Sequence, residues 1–213
     1  MKSKEHIKNF VFDLDETLYS PEVPIMKIVG DKINEYMHKY LHMKEEEIPT
    51  KRKYYKSSYG TTLYGLMKEY DIDPEEFLLY VHNIGYDKVI KRDIKLKREL
   101  AKLQGSIFIY TNASKNHAKC VLKQLGVEEY FEDIISIEDT DYIPKPTIEG
   151  FQKFINRVGI DCKKSVFIEN SSANLHTAKL INMQTAIVWD KYINCKDFDY
   201  YLETIYNIDI LWK

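Results

Sequence analysis

Residues 10–20 read FVFDLDETLYS: an apolar run suited to a buried strand, then Asp13 and Asp15 two positions apart, then Thr17. Strands buried on both faces belong to parallel sheets covered by helices. In such sheets ligands sit outside the carboxyl ends of the strands. Two carboxylates where a core strand ends therefore mark a candidate site and suggest a fold. If extended geometry continued past Phe12, the strand period of two would point Asp13 and Asp15 the same way.

The same pattern recurs downstream. SIFIYT (106–111), IISI (134–137), SVFIE (165–169) and TAIVW (185–189) read as strands, and helix-period segments separate them. Ala118, Val121, Leu122 and Leu125 form one such segment, with Ser114 as N-cap and Gly126 as stop. Ile148, Phe151, Ile155 and Val158 form the next, closed by Gly159, and a third follows Ser172 and ends near Met183. With IKNFVFD (7–13), the spacing predicts a doubly wound α/β fold of five parallel strands joined by right-handed crossovers. YYLETIYNIDILWK (200–213) reads as a terminal helix and an apolar tail that docks Trp212 on the core.

One connection is far too long for an ordinary loop. From Leu18 to about Leu103 no strand pattern appears, while Ile25, Ile28, Val29, Ile33, Tyr36 and Met37, then Phe77, Leu78 and Val81, follow helical spacing. This predicts a helical cap domain at 20–91 inserted into a core made of 1–19 and 92–213, above the end of the first strand. The cap must open to admit substrate, so its connections near Ser20 and Lys91 are expected to gate the site.

Composition narrows the partners. Lys+Arg 31 against Asp+Glu 33 gives a net charge of −2, which argues against a nucleic-acid polymer as partner. Cys120, Cys162 and Cys195 form no Cys-x-x-Cys pair, so neither a disulfide framework nor a structural zinc site is expected, and a reducing, cytoplasmic setting fits. No run approaches the roughly 18 apolar residues of a membrane span, and MKSKEHIKNF lacks a signal-peptide core.

Polar residues just past the strands converge on one crevice: Asp13, Asp15 and Thr17; Thr111 and Asn112; Lys145; Glu169 and Asn170. Hard carboxylate oxygens suit Mg²⁺, and a hydroxyl, an amide and an ammonium are donors for a phosphate. One carboxylate can attack phosphorus and form an acyl phosphate, while the second protonates the leaving alkoxide and then activates water.

Asp13-Leu14-Asp15-Glu16-Thr17 resembles the first motif, Asp-x-Asp-x-Thr, of the haloacid dehalogenase superfamily. Thr111 is similar to its second, Lys145 to its third and Glu169-Asn170 to its acidic fourth. The resemblance implies a phosphatase with Asp13 as nucleophile, Asp15 as general acid/base offering its backbone carbonyl to Mg²⁺, and Thr111 and Lys145 binding the phosphoryl group, to which the Asn112 amide is a further candidate donor. Asp13, Asp15, Glu169 and Asn170 are the implied metal ligands. YTNASKNHAKCVLKQLG and YGTTLYGLMKEYDIDPEEF resemble the pyrimidine 5′-nucleotidase subgroup, which implies nucleoside 5′-monophosphates as substrates. Sugar or other small-metabolite phosphates stay open as substrates.

That subgroup presents two Asp residues where this chain has Glu169-Asn170. An amide oxygen still ligates Mg²⁺ but removes one negative charge, which should raise the magnesium requirement. A protein that has lost turnover and kept the fold as a binding module is the other reading of Asn170. In KRKYYKSSYGTTLYG (51–65), Tyr59 and Thr62 are candidate substrate contacts, while most of the tyrosines are expected to pack within the cap. His117 and His176 are read as residues that stand behind the reacting groups or pack at the surface, Lys115 as a crevice neighbour and Asn174 as a brace for the metal loop.

Overall fold

The computed structural model describes residues 7–189 and 197–211. Six parallel strands form one sheet: β1 (Asn9–Phe12), β2 (Ser106–Tyr110), β3 (Asp133–Ile135), β4 (Ser165–Glu169), β5 (Gln184–Val188) and β6 (Tyr200–Leu202), in the order β3-β2-β1-β4-β5-β6. The order reverses direction at β1, which pairs with β2 on one side and β4 on the other.

The apolar runs are continuous because both faces are covered. Phe10 and Phe12 of β1, Ile107 and Ile109 of β2, and Val166 and Ile168 of β4 enter one core cluster. The alternate residues Val11, Phe108, Tyr110 and Phe167 enter a second cluster on the opposite face. Complete burial of one such side chain contributes about 1.5–3 kcal/mol. The helices that cover the sheet are α6 (Ile94–Leu100), α7 (Lys115–Leu125), α8 (Ile148–Val158) and α9 (Ser172–Leu180). Ser114 caps α7 by accepting from the His117 N–H, and Gly126 ends that helix in the left-handed region.

Between β1 and α6 lie only helices: α1 (Ile25–Leu41), α2 (Ile48–Tyr59), α3 (Thr62–Glu69), α4 (Pro74–Val81) and α5 (Tyr86–Val89). Their buried residues Ile25, Val29, Met37, Tyr55, Leu66 and Phe77 belong to the same cluster as Phe12, Leu14 and Leu18. The helical insertion is therefore packed onto the sheet through the segment that carries Asp13 and Asp15.

The carboxyl-terminal reading needs correction. Tyr200–Leu202 form the sixth strand, in register with Ala186–Val188 of β5, and only Ile205–Leu211 turn, as a 3₁₀ helix. Three residues are too few to show a period, so the strand is indistinguishable in sequence from the helix-like segment after it. Trp212 and Cys195 lie outside the described residues. Among the described residues no helix is long and apolar enough to cross a membrane.

Close packing of α2 on α3 depends on Gly65. A methyl group there would sit 2.3 Å from the ring of fully buried Tyr55. Overpacking of this kind costs about 1–3 kcal/mol. Gly65→Ala is therefore expected to lower the urea midpoint; an unchanged midpoint would contradict this packing.

Candidate active site

Asp13 and Thr111 each stand one residue beyond a strand and still belong to its ladder. The Asp13 N–H donates to the Ile168 carbonyl and the Thr111 N–H to the Ile135 carbonyl. Past Asp13 the chain turns, with Glu16 at φ 57° and the Thr17 and Leu18 N–H groups donating back to the Leu14 carbonyl. Extended geometry thus stops at Asp13, and the two carboxylates take separate partners.

Asp13 is held at both oxygens. Oδ1 accepts from Lys145 Nζ at 2.6 Å and Oδ2 from the Thr17 hydroxyl at 2.8 Å. The Lys145 ammonium is 1 % exposed. Its three hydrogens meet three acceptors: Asp13 Oδ1, the Tyr110 carbonyl at 2.8 Å and Glu169 Oε2 at 3.1 Å. The rings of Tyr110 and Phe167 flank it at 5.1 and 5.2 Å. As a phosphate donor Lys145 would have to exchange one of these bonds, so its placement is that of a fixed positive charge beside Asp13.

Asn112 and Lys145 clamp each other. The Asn112 amide donates to the Lys145 carbonyl at 3.0 Å and accepts from the Lys145 N–H at 2.8 Å. The side chain expected to bind phosphate is thus mainly a brace for Lys145, and the Asn112 backbone N–H is the donor left for a ligand. Thr111 accepts from the Ala113 N–H at 3.0 Å, which leaves its own hydroxyl hydrogen to give.

Glu169 accepts four bonds: from the Asn170 and Ser171 N–H groups, Lys145, and the Asn174 amide at 2.7 Å. Asn174 thus braces the Glu169 carboxylate. The Asn170 amide and the Asp15 backbone carbonyl have no partner among the described residues, and both residues line the cavity that Asp13 floors. These hard oxygens with the Asp13 carboxylate suit Mg²⁺, which is held by one or two carboxylates and keeps its waters. Among the described residues no three Asp, Glu, His or Cys side chains form a closed metal cage.

Asp15 Oδ1 accepts from the Tyr19 hydroxyl at 2.6 Å and shares a hydrogen bond with His117 Nε2 at 2.8 Å. His117 is fully buried. Of the two roles expected for it, standing behind a reacting group is the one the structure gives it, and the signal was its place in the first turn of α7, which opens at the crevice directly after Thr111-Asn112. Burial and the Glu169 carboxylate push the Asp13 carboxyl up, to about 7, against the pull of Lys145. Burial alone would raise Asp15 too, but the His117 charge and the His117 and Tyr19 hydrogen bonds outweigh it and hold that carboxyl below its usual value.

The cavity measures about 660 Å³ and reaches from Asp13, Thr111 and Lys145 to Met26, Ile33, Arg52 and Phe77 of the insertion. Thr62 lines it, but its hydroxyl is buried without a partner among the described residues. Tyr59 does not line it and instead packs edge-on against Tyr54 and Tyr64, so the expected substrate contact is corrected to a packing role. His176 is bonded to the Ser172 carbonyl, and Lys115 pairs with Asp139 at 2.8 Å.

Residues 7–182 match the family model described as haloacid dehalogenase-like hydrolase. The chain is 24% identical over 191 residues to phosphate metabolism protein 8 of Saccharomyces cerevisiae, covering 83% of this chain but only 60% of that protein. It is 23% identical to the glyceraldehyde 3-phosphate phosphatase of Methanocaldococcus jannaschii, over 96% of this chain and 95% of that one. Among solved structures, the HAD hydrolase YfnB of Bacillus subtilis bound to magnesium superposes with a TM-score of 0.64 at 17% identity, covering 97% and 99% of the two chains.

A carboxyl raised toward neutrality destabilises the fold once it ionises. Asp13 titrates near 3.8 when unfolded, so this penalty grows as pH rises from about 4 to about 7 and is complete above that. Asp13→Asn is therefore expected to melt higher than the parent at pH 8 without divalent cations, with the difference shrinking at pH 5. One kcal/mol corresponds to about 2–4 °C in a chain of this size. A lower melting temperature for the variant at pH 8 would contradict this electrostatic reading.

Proposed function

Because the chain belongs to the haloacid dehalogenase-like hydrolase family, we propose that it hydrolyses small phosphate monoesters by passing the phosphoryl group through Asp13. The observation that carries this reading is a buried carboxylate at a strand end, gripped by Lys145 and Thr17 on a cavity floor. An Asp13 oxygen attacks phosphorus and the ester P–O bond breaks. Asp15 gives a proton to the departing oxygen. Asp15 then takes a proton from water as that water attacks phosphorus, and Asp13 is released as a carboxylate with inorganic phosphate. Lys145 offsets the growing charge, while the Thr111 hydroxyl and the Asn112 backbone N–H donate to the phosphoryl oxygens.

Mg²⁺ would be held by Asp13, the Asp15 carbonyl and Asn170, with Glu169 joining by giving up a donor, and when bound it supplies positive charge at the phosphoryl group. The insertion, residues 20–91, acts as a cap that admits substrate and shields the site from water. Free Cys120 and Cys162 accord with a reducing, cytoplasmic setting.

Nucleoside 5′-monophosphates are the leading substrates. A cavity of about 660 Å³ falls within the usual ligand range of about 300–1,000 Å³, and its apolar wall of Met26, Ile33 and Phe77 suits a base and ribose. A triose or other small-metabolite phosphate is the second reading, supported by Tyr59 facing away from the cavity. A panel of phosphorylated metabolites assayed for released phosphate separates them. The expected result is the highest kcat/KM for nucleoside 5′-monophosphates and none for Asp13→Asn; no phosphate released from any compound, or an active Asp13→Asn, would overturn the proposal.

Asn170 makes a separate prediction. Asn170→Asp restores a negative charge to the cation site and should tighten Mg²⁺ about tenfold, or about 1.4 kcal/mol. Isothermal titration calorimetry of the two proteins measures this without turnover, and equal affinities would refute it.

A further inference from the structure

We propose that His117 is the positioning residue for Asp15, and that through His117 the insertion helices hold the acid/base carboxylate in its working orientation. The proposal depends on Asp15 serving as the acid and base of the hydrolysis.

The hydrogen inventory supports it. Tyr86 OH lies 2.9 Å from the His82 carbonyl and 3.0 Å from His117 Nδ1. A carbonyl only accepts, and a phenol has a single hydrogen. That hydrogen goes to His82, so the Tyr86 oxygen accepts from His117 Nδ1–H. The imidazole is thereby fixed in orientation, with Nε2 aimed at Asp15 Oδ1, 2.8 Å away. One hydrogen lies on this Nε2–Oδ1 line, and with Tyr19 it secures Oδ1 from two sides. Asp15 Oδ2 has no partner among the described residues, and Asp15 lines the cavity. Oδ1 is the anchored atom and Oδ2 the one left to meet a leaving oxygen or a water.

The anchor is built from three chain segments. Asp15 and Tyr19 come from the turn after β1, Ser114 and His117 from the start of α7, and His82 and Tyr86 from the end of α4 and the start of α5. The His82 ring lies against His117, centroids 4.4 Å apart and tilted 38°. His82 Nδ1 meets Ser114 Oγ at 2.8 Å, while that oxygen accepts from the His117 N–H at 3.2 Å. Ser114 Oγ and His82 Nδ1 share a hydrogen bond, so the side chain that caps α7 also ties it to the insertion. Displacing α4 or α5 would remove the Tyr86 and His82 supports together and free the imidazole to turn.

An anchor of this kind acts only where a proton must reach the leaving group. An alkyl phosphate expels a strongly basic alkoxide and needs Asp15, whereas p-nitrophenolate departs unprotonated. The kcat/KM value reports formation of the phosphorylated enzyme, so the ratio of kcat/KM for a nucleoside 5′-monophosphate to that for p-nitrophenyl phosphate isolates the acid. General acid catalysis is worth about 10²–10⁴-fold. His117→Ala is expected to lower the ratio at least about tenfold, with His117→Gln, whose amide reaches the Nε2 position, recovering part of it. Tyr86→Phe removes one hydroxyl and should lower the ratio in the same direction by less, which keeps the test available if His117→Ala does not fold.

Asp15→Asn separates the two layers of inference. A lowered ratio in Asp15→Asn with unchanged ratios in His117→Ala and Tyr86→Phe would overturn the positioning role alone. An unchanged ratio in Asp15→Asn would overturn the acid role of Asp15 and this proposal with it.

Discussion

Everything in this site is arranged around one buried ammonium. Lys145 spends its three hydrogens on Asp13, Glu169 and the Tyr110 carbonyl, groups that stand at the ends of β1, β4 and β2. Those ends are adjacent because the sheet reverses its winding at β1. A buried charge pair survives when its remaining lone pairs and hydrogens are satisfied; here it is removal of the ammonium, leaving Asp13 and Glu169 both uncompensated, that costs about 3–5 kcal/mol. The surrounding bonds meet that condition: Asn112 clamps the Lys145 backbone, Asn174 and two backbone N–H groups hold Glu169, and Thr17 holds the far oxygen of Asp13. Gly60 of the insertion also depends on this loop, since a methyl group there would lie 2.8 Å from the Lys145 carbonyl.

Two carboxylates two residues apart acquire opposite tendencies from their surroundings. Asp13 sits beside Glu169 and is pushed up, while Asp15 sits beside His117 and Tyr19 and is held down. For an attacking carboxylate and a proton donor these are the wrong way round in the free protein. A divalent cation at Asp13 would lower its carboxyl, and a phosphate dianion near Asp15 would raise that one. Under the proposed function, the site would take its reactive protonation state only once cation and substrate are both present. Asn170 bears on this balance, because an amide in place of a carboxylate leaves less charge to draw the cation in.

Much of this was legible in the sequence where local rules decide the outcome. Five strands followed from continuous apolar runs, and α7 and α8 from their caps at Ser114, Gly126 and Gly159. The residues that line the crevice followed from their position just past the strands. What stayed hidden depends on long-range contacts. β6 is three residues long and is defined only by its pairing with β5. Tyr59 carries an aromatic ring suited to a base, yet only the packing of α2 on α3 shows that it faces its neighbouring tyrosines. His117 and Asp15 are 102 positions apart: the sequence places each at the crevice, but only the fold pairs one with the other. The reciprocal bonds of Asn112 and Lys145, likewise, become visible only when two strand ends are side by side.

The central claim is that the Asp13 carboxylate becomes phosphorylated. Its most direct test is a crystal of the protein soaked with magnesium and beryllium fluoride, which together mimic a phosphorylated carboxylate. If Asp13 is the nucleophile, the soaked crystal shows trifluoroberyllate bonded to an Asp13 oxygen and within hydrogen-bond distance of the Thr111 hydroxyl. Density at another side chain, or none on Asp13 at saturating magnesium, would contradict it.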